Sequence, residues 1–239
     1  MAFGMDPRVA QVRGIPVERI DGGLRSYMLS IYNYMGLGLA LTGLTAFVVA
    51  TSPALMALIF GTPLKWVVML APLGFVFFLS ARVHRMSVGA AQIAFWAFAV
   101  AMGLSLASIF LVFTGTSIAR VFFITAATFG AVSLYGYTTK RDLSRFGSFL
   151  VMGLIGIVIA SLVNLFLGSS ALQFAISVIG VLVFTGLTAW DTQRLKEEYV
   201  ESLGEELVAK NAILGALSLY LNFINLFVMM LQLFGQNRE

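Results

Sequence analysis

The chain has no cysteine in its 239 residues, one histidine (His84) and five prolines, and charged side chains make up only 11% of it. Without cysteine there is no disulfide, no thiolate metal site and no cysteine nucleophile. A single histidine gives no basis for a His-rich metal centre. A soluble domain carries about 25% charged and about 45–50% apolar residues. Here the apolar share is 59% and the mean hydropathy is +0.94. That balance excludes a soluble enzyme, a disordered chain and a nucleic-acid binder. No metal-ligand spacing, P-loop, dinucleotide fingerprint or nucleophile motif is present.

What the chain does have is long runs without charge. They cover residues 26–64, 66–81, 86–119, 121–139, 146–190 and 211–237. A helix that crosses a bilayer needs about 20 such residues. The runs predict an all-α polytopic membrane protein, a bundle of seven transmembrane helices. The spans are 27–50, 66–81, 88–113, 121–139, 146–167, 171–190 and 212–234. The second has only 16 charge-free residues and crosses if Lys65 and Arg82 snorkel to opposite surfaces. Residues 55–60, between Pro53 and Pro63, read as a short interfacial stretch. The run 146–190 divides at Gly168-Ser169-Ser170.

Residues 1–26 form an N-terminal tail and residues 27–239 the seven-helix domain. The tail carries Arg8, Arg13, Arg19 and Arg25 beside Asp6, Glu18 and Asp21. It has no short apolar core of the signal-peptide kind, so it is expected to stay on the mature protein. With these spans, 12 of the 15 basic residues fall on the side of the tail. An excess of Lys and Arg marks the cytoplasmic face, so the N-terminus is expected inside. The net charge of +4 then reflects topology rather than a polyanionic partner.

Any chemistry lies in the polar residues that interrupt apolar helices. Asn211, Gly215, Ser218, Asn222, Asn225, Met229 and Gln232 recur at spacings of four and three in the seventh span. Those spacings put them on one helical face. Such a face turns into the bundle or toward water rather than to lipid, which makes the seventh helix central. It is either a packing seam held by amide hydrogen bonds or the lining of a polar path.

Asp191 follows Trp190 in GLTAWDTQRLK, at the expected end of the sixth span near the cytoplasmic interface. Composition alone favours an interfacial acid paired with Arg194 or Lys196. The alternative is an acid turned into the bundle interior. His84, between Arg82 and Arg85, is expected on the surface. Glu197, Glu198, Glu201, Glu205 and Glu206 read as a solvated helical face.

The string SVIGVLVFTGLTAWDTQRLK followed by GALSLYLNFINLFVMMLQLFG resembles the bacterial branch of the transmembrane Bax inhibitor motif family. The basic tail, the seven spans and the Lys140-Arg141-Asp142-Leu143 turn share the resemblance. It implies a seven-helix bundle with the seventh helix enclosed by the other six. It also implies a protein of the bacterial inner membrane that leaks calcium in a pH-dependent way. The family's implied sensor is a pair of aspartates, one late in the sixth helix and one in the seventh. An arginine near the end of the second helix can latch onto the pair. Bacterial members have also been linked to restraint of a membrane-bound ATP-dependent protease.

Carried over residue by residue, Asp191 is the sixth-helix acid. The seventh-helix motif LYLDFIN stands here as LYLNFIN, with Asn222 in place of the second acid. Two close carboxylates share a proton and titrate as a unit. Asparagine has nearly the same shape and cannot ionise, so a leak with a weakened or absent pH switch is expected. Arg82 is the first choice for the latch and Arg85 the second; Ser218 and Asn225 complete the polar face.

Three functions follow in order of expectation. The first is a passive cation leak, with Ca²⁺ as permeant ion and no cofactor. The second is modulation of a membrane protease or another membrane partner through the tail, residues 1–26. An intramembrane enzyme comes last, because a lone Asp without a partner acid or an activated Ser makes no catalytic constellation.

Overall fold

A computed structural model of the chain describes residues 17–199 and 204–238. Among them are nine α-helices, α1 (Val17–Thr51), α2 (Pro53–Phe60), α3 (Leu64–Arg82), α4 (Val88–Leu106), α5 (Ile109–Val112), α6 (Gly115–Thr138), α7 (Ser144–Leu167), α8 (Ser170–Glu197) and α9 (Glu205–Phe234). A 3-10 turn, Val83–Arg85, follows α3. Seven segments are long and apolar enough to cross a bilayer: α1, α3 with its turn, α4 with α5, and each of α6 to α9. No sheet forms among the described residues, where the one extended pairing is an isolated bridge between Phe113 and Asn237. The all-α, seven-span architecture expected from the charge-free runs is the observed one.

Local chemistry sets most of the breaks. Ser52, Ser87, Thr114 and Ser169 each cap a helix, the side-chain oxygen accepting from the backbone N–H three residues on. The long run 146–190 is cut where expected. Gly168 adopts a left-handed conformation, φ +61°, that ends α7, and Ser169 starts α8.

Several ends lie outside the sequence-based bounds, and α6 begins at Gly115, six residues before its expected start. Helix α1 already begins at Val17, α8 continues to Glu197, and α9 starts at Glu205. The added turns carry the charges that closed the apolar runs. Charge ends a lipid-crossing stretch, whereas ending the helix takes a glycine, a proline or a cap. Residues 17–26 of the expected tail are therefore the opening turns of α1. The rest of that tail, residues 1–16, lies outside the described residues.

Burial is unequal among the spans. In α9, 67% of the apolar window is buried, against 11–39% in the other six. Helix α9 packs against α1, α4, α6 and α8, and the 3-10 turn after α3 also reaches it. Tyr220, Leu219, Leu226 and Leu231 on α9 are almost fully enclosed. The Tyr220 hydroxyl lies 2.6 Å from Thr42 Oγ1, and Thr42 donates at 2.8 Å to the carbonyl of Ala99. The single Thr42 proton goes to Ala99, so Tyr220 is the donor, and α1, α4 and α9 are joined by one short chain. The outer helices turn Leu, Ile, Val and Phe outward, Phe166 being 88% exposed. A surface of that kind suits lipid.

Glycine lets α6 and α8 approach closely. A Cβ on Gly136 would lie 2.3 Å from the backbone oxygen of Ala189. Gly136→Ala must push the two backbones apart, and a loss of about 1–3 kcal/mol is expected. The midpoint of thermal unfolding in detergent checks this. Gly130→Ala is the control on the same helix, since a Cβ there meets nothing within 4 Å.

Candidate functional site

The polar residues of α8 and α9 meet at Asp191. Because α8 runs on to Glu197, Asp191 is not at the helix end but within it, and it is only 4% exposed. Its Oδ2 accepts from Asn222 Nδ2 at 2.7 Å and from Ser218 Oγ at 2.9 Å. Ser218 and Asn222 are one turn apart on α9, so a single helical face supplies both donors. Oδ1 lies 2.8 Å from Nη2 of Arg194, one turn further along α8. That contact is ionic rather than an aligned hydrogen bond, since Oδ1 has no hydrogen-bond donor. The Arg194 guanidinium lies 4.8 Å from the centre of the Trp190 ring and its Nε 3.5 Å from Glu198 Oε1. The group is a buried carboxylate held by two neutral donors on one oxygen and one half-exposed cation on the other.

The two readings of Asp191 thus combine. It pairs with Arg194, as an interfacial acid would, and it faces the bundle interior, where Asn222 and Ser218 meet it. Lys196 goes elsewhere, donating to the carbonyl of Tyr137 at 2.9 Å. Arg82 and Arg85 are both exposed, and among the described residues the cation on Asp191 is Arg194 alone. The turn after α3 packs on α9, and of its three residues Val83 is the buried one. The physical reason is proximity, since a residue three positions on in the same helix lies beside Asp191 without any rearrangement. His84 is exposed, as expected.

The polar face of α9 is not continuous. Asn225 is half-buried and donates to the Leu221 carbonyl of its own helix at 2.9 Å, so it does not join Asp191. Gln232, at the other end, accepts from Gln173 Nε2 at 2.6 Å and from Ser177 Oγ at 2.8 Å. Asn164 donates to Gln173 and extends that second cluster. Between the two, Met229 packs on Gly180 and Met230 sulfur accepts from Thr125. The helix therefore carries two polar patches with sulfur and apolar contacts between them.

Two residues beside Asp191 escaped the sequence reading. Thr192 lies 3.0 Å from Ser133 Oγ on α6, and Ser133 in turn meets the Tyr32 hydroxyl on α1. Gln193 donates to the Arg141 carbonyl at 2.8 Å and accepts from the Leu143 N–H at 2.8 Å, clamping the turn between α6 and α7. Successive helical residues point about 100° apart, so Asp191, Thr192 and Gln193 address three different neighbours. Three consecutive polar residues closing an apolar run were the available signal. Within the clamped turn, the Ser144 N–H holds the Asp142 carboxyl below the usual carboxylate range. That cap persists through neutral pH and is lost only as pH falls below that range.

The glutamates are not uniformly a solvated face. Glu206 pairs with the buried Lys210 at 2.7 Å, and Glu198 lies near Arg194. Glu201 lies outside the described residues. Among the described residues, no group of three or more acidic or histidine side chains is placed to hold a metal ion.

Seven apolar spans around one ion-paired buried carboxylate define an integral membrane protein with an ionic site between its last two helices. The sequence pattern described as "Inhibitor of apoptosis-promoting Bax1" is matched over residues 24–239, and the chain belongs to this Bax inhibitor family. It is 50% identical over 222 residues to an uncharacterised protein of Rickettsia prowazekii, covering 93% of this chain and 94% of that one. It is 49% identical over 219 residues to the inner membrane protein YbhL of Escherichia coli, covering 90% and 94%. An uncharacterised membrane protein of Streptococcus pyogenes matches at 34% over 220 residues, covering 91% and 95%. The spans and these relatives identify an inner-membrane protein.

Proposed function

We propose that the protein is a passive cation leak, with Ca²⁺ as permeant ion, controlled at the Asp191–Arg194 pair. The supporting observation is Asp191 itself, which is the one buried carboxylate among the described residues and lies against the most buried helix. A buried ionised group is retained at a cost, and inside a membrane bundle it marks an ion or proton path. Its ion pair with a half-exposed arginine closes the path at the end of the bundle that carries most of the basic residues. Swinging Arg194 toward Glu198 would uncover Oδ1 for a cation. Asn222 donates to the acid but has no proton to share with it, so flux should respond weakly to pH.

The test is Ca²⁺ entry into proteoliposomes from about pH 5 to about pH 8, the range in which shared carboxyl protons and histidine titrate. The wild type is expected to leak with little pH dependence. Asn222→Asp should introduce a steep dependence, and Asp191→Asn should change the leak. A steep wild-type profile would remove the weakened-switch reading. Flux no greater than in empty liposomes for all three proteins would remove the leak.

A further inference from the structure

Helices α1 and α6 both pack on α9 but not closely on each other. A groove of about 650 Å³ lies between them, with Phe223 of α9 contributing to its lining. From Arg25 to Leu39 on α1 it extends roughly 21 Å at about 1.5 Å per residue. On α6 it is lined from Tyr137 to Phe122, in the antiparallel sense. The lining is apolar except at Arg25, Tyr32, Ser133 and Tyr137. Tyr32 and Ser133 hydrogen-bond to each other across the groove, so their polarity is already satisfied.

Arg25 is not. It is exposed and has no ionic partner among the described residues. A second cation stands at the same end, where Lys196 Nζ bonds the Tyr137 carbonyl and lies 5.2 Å from the Tyr137 ring centre. Gly36 and Gly130 line the groove, and a Cβ on either would meet nothing within 4 Å. Both glycines lie beyond the Tyr32–Ser133 bond as seen from Arg25, so the open width is at the inner part of an apolar groove that this bond crosses and that has positive charge at its mouth.

We propose that this groove holds one acyl chain of an anionic phospholipid, with the phosphate on Arg25 and Lys196 beside it. Basic pockets between membrane helices select anionic headgroups in this way. The length of roughly 21 Å suits one lipid from headgroup to chain end, since half of a bilayer about 40–45 Å thick with its headgroup regions is about 20–22 Å. An apolar groove on a lipid-facing surface has a chain as its natural filling. The arginine is what distinguishes one headgroup from another.

The test is native mass spectrometry of the full chain released from nanodiscs made of equal parts palmitoyl-oleoyl phosphatidylglycerol and palmitoyl-oleoyl phosphatidylcholine. The wild type is expected to retain one phosphatidylglycerol in preference to phosphatidylcholine. Arg25→Gln should lower that preference about five-fold, one cation's contribution near a membrane surface, while Arg25→Lys keeps it. Gly130→Leu, which fills the groove from a position with open space, should abolish retention of either lipid at an unchanged melting midpoint. Equal retention of the two lipids by the wild type overturns the proposal, as does a preference unaltered in Arg25→Gln. Undiminished retention by Gly130→Leu overturns it too. Should Gly130→Leu fail to fold, the contrast between Arg25→Gln and Arg25→Lys decides alone.

Discussion

Arg194→Gln is expected to destabilise the protein by about 3 kcal/mol, whereas Asp191→Asn costs only about 1 kcal/mol. The two residues form one ion pair at 2.8 Å, yet they are not equivalent. The Asp191 side chain is 6% exposed and that of Arg194 37%. Losing the arginine leaves an ionised carboxylate in the interior, with Ser218 and Asn222 on one oxygen and nothing on the other. Removing one partner of a buried pair costs about 3–5 kcal/mol, and partial access to water at Arg194 puts this case at the low end. Losing the acid instead leaves a cation that already reaches the surface and has Glu198 3.5 Å from its Nε. The amide of Asp191→Asn still accepts from Asn222 and Ser218. Reversible unfolding of both variants in mixed micelles measures the asymmetry. Equal costs would mean that the carboxylate is solvated rather than buried.

The same asymmetry shows what was legible in the sequence. Spans, their number and the break at Gly168-Ser169 follow from apolar run length and cap chemistry, both of which are local. Asn222 as the counterpart of Asp191 is implied by the family motif, and spacing on α9 puts Ser218 on the same face. Arg194 and Lys196 both stand as cations for an interfacial acid, and those grounds can neither choose between them nor set either above Arg82. The resemblance pointed to the end of the second helix, and the run of charges after Trp190 looked like the end of the sixth. Only the continuation of α8 to Glu197 keeps Arg194 in helical register with Asp191. Asn225 failed for a related reason. Spacing places a side chain on a face, but whether it bonds across to a neighbour or back to its own helix depends on that neighbour. At Asn225 the available acceptor was the Leu221 carbonyl.

Asn222→Asp is expected to make the stability of the core fall as pH rises. Asn222 Nδ2 lies 2.7 Å from Asp191 Oδ2. An oxygen in place of that nitrogen puts two carboxyl oxygens at a separation that holds only with a proton between them. Like charges at about 3 Å cannot both ionise, as in paired-aspartate proteases. The folded variant therefore keeps one proton that the separated, water-exposed carboxyls of the unfolded chain release. Where the folded state binds more protons than the unfolded one, stability decreases with rising pH, by up to about 1.4 kcal/mol per pH unit for one proton. Thermal unfolding of Asn222→Asp should thus move to lower temperature between about pH 5 and about pH 8, while the wild type stays nearly level. Arg194 opposes the effect, since its charge on Oδ1 favours two ionised acids. Combining Asn222→Asp with Arg194→Gln should steepen the slope. A flat profile in Asn222→Asp would mean that the two side chains separate when both are charged, and the buried site would then be a hinge rather than a fixed pair.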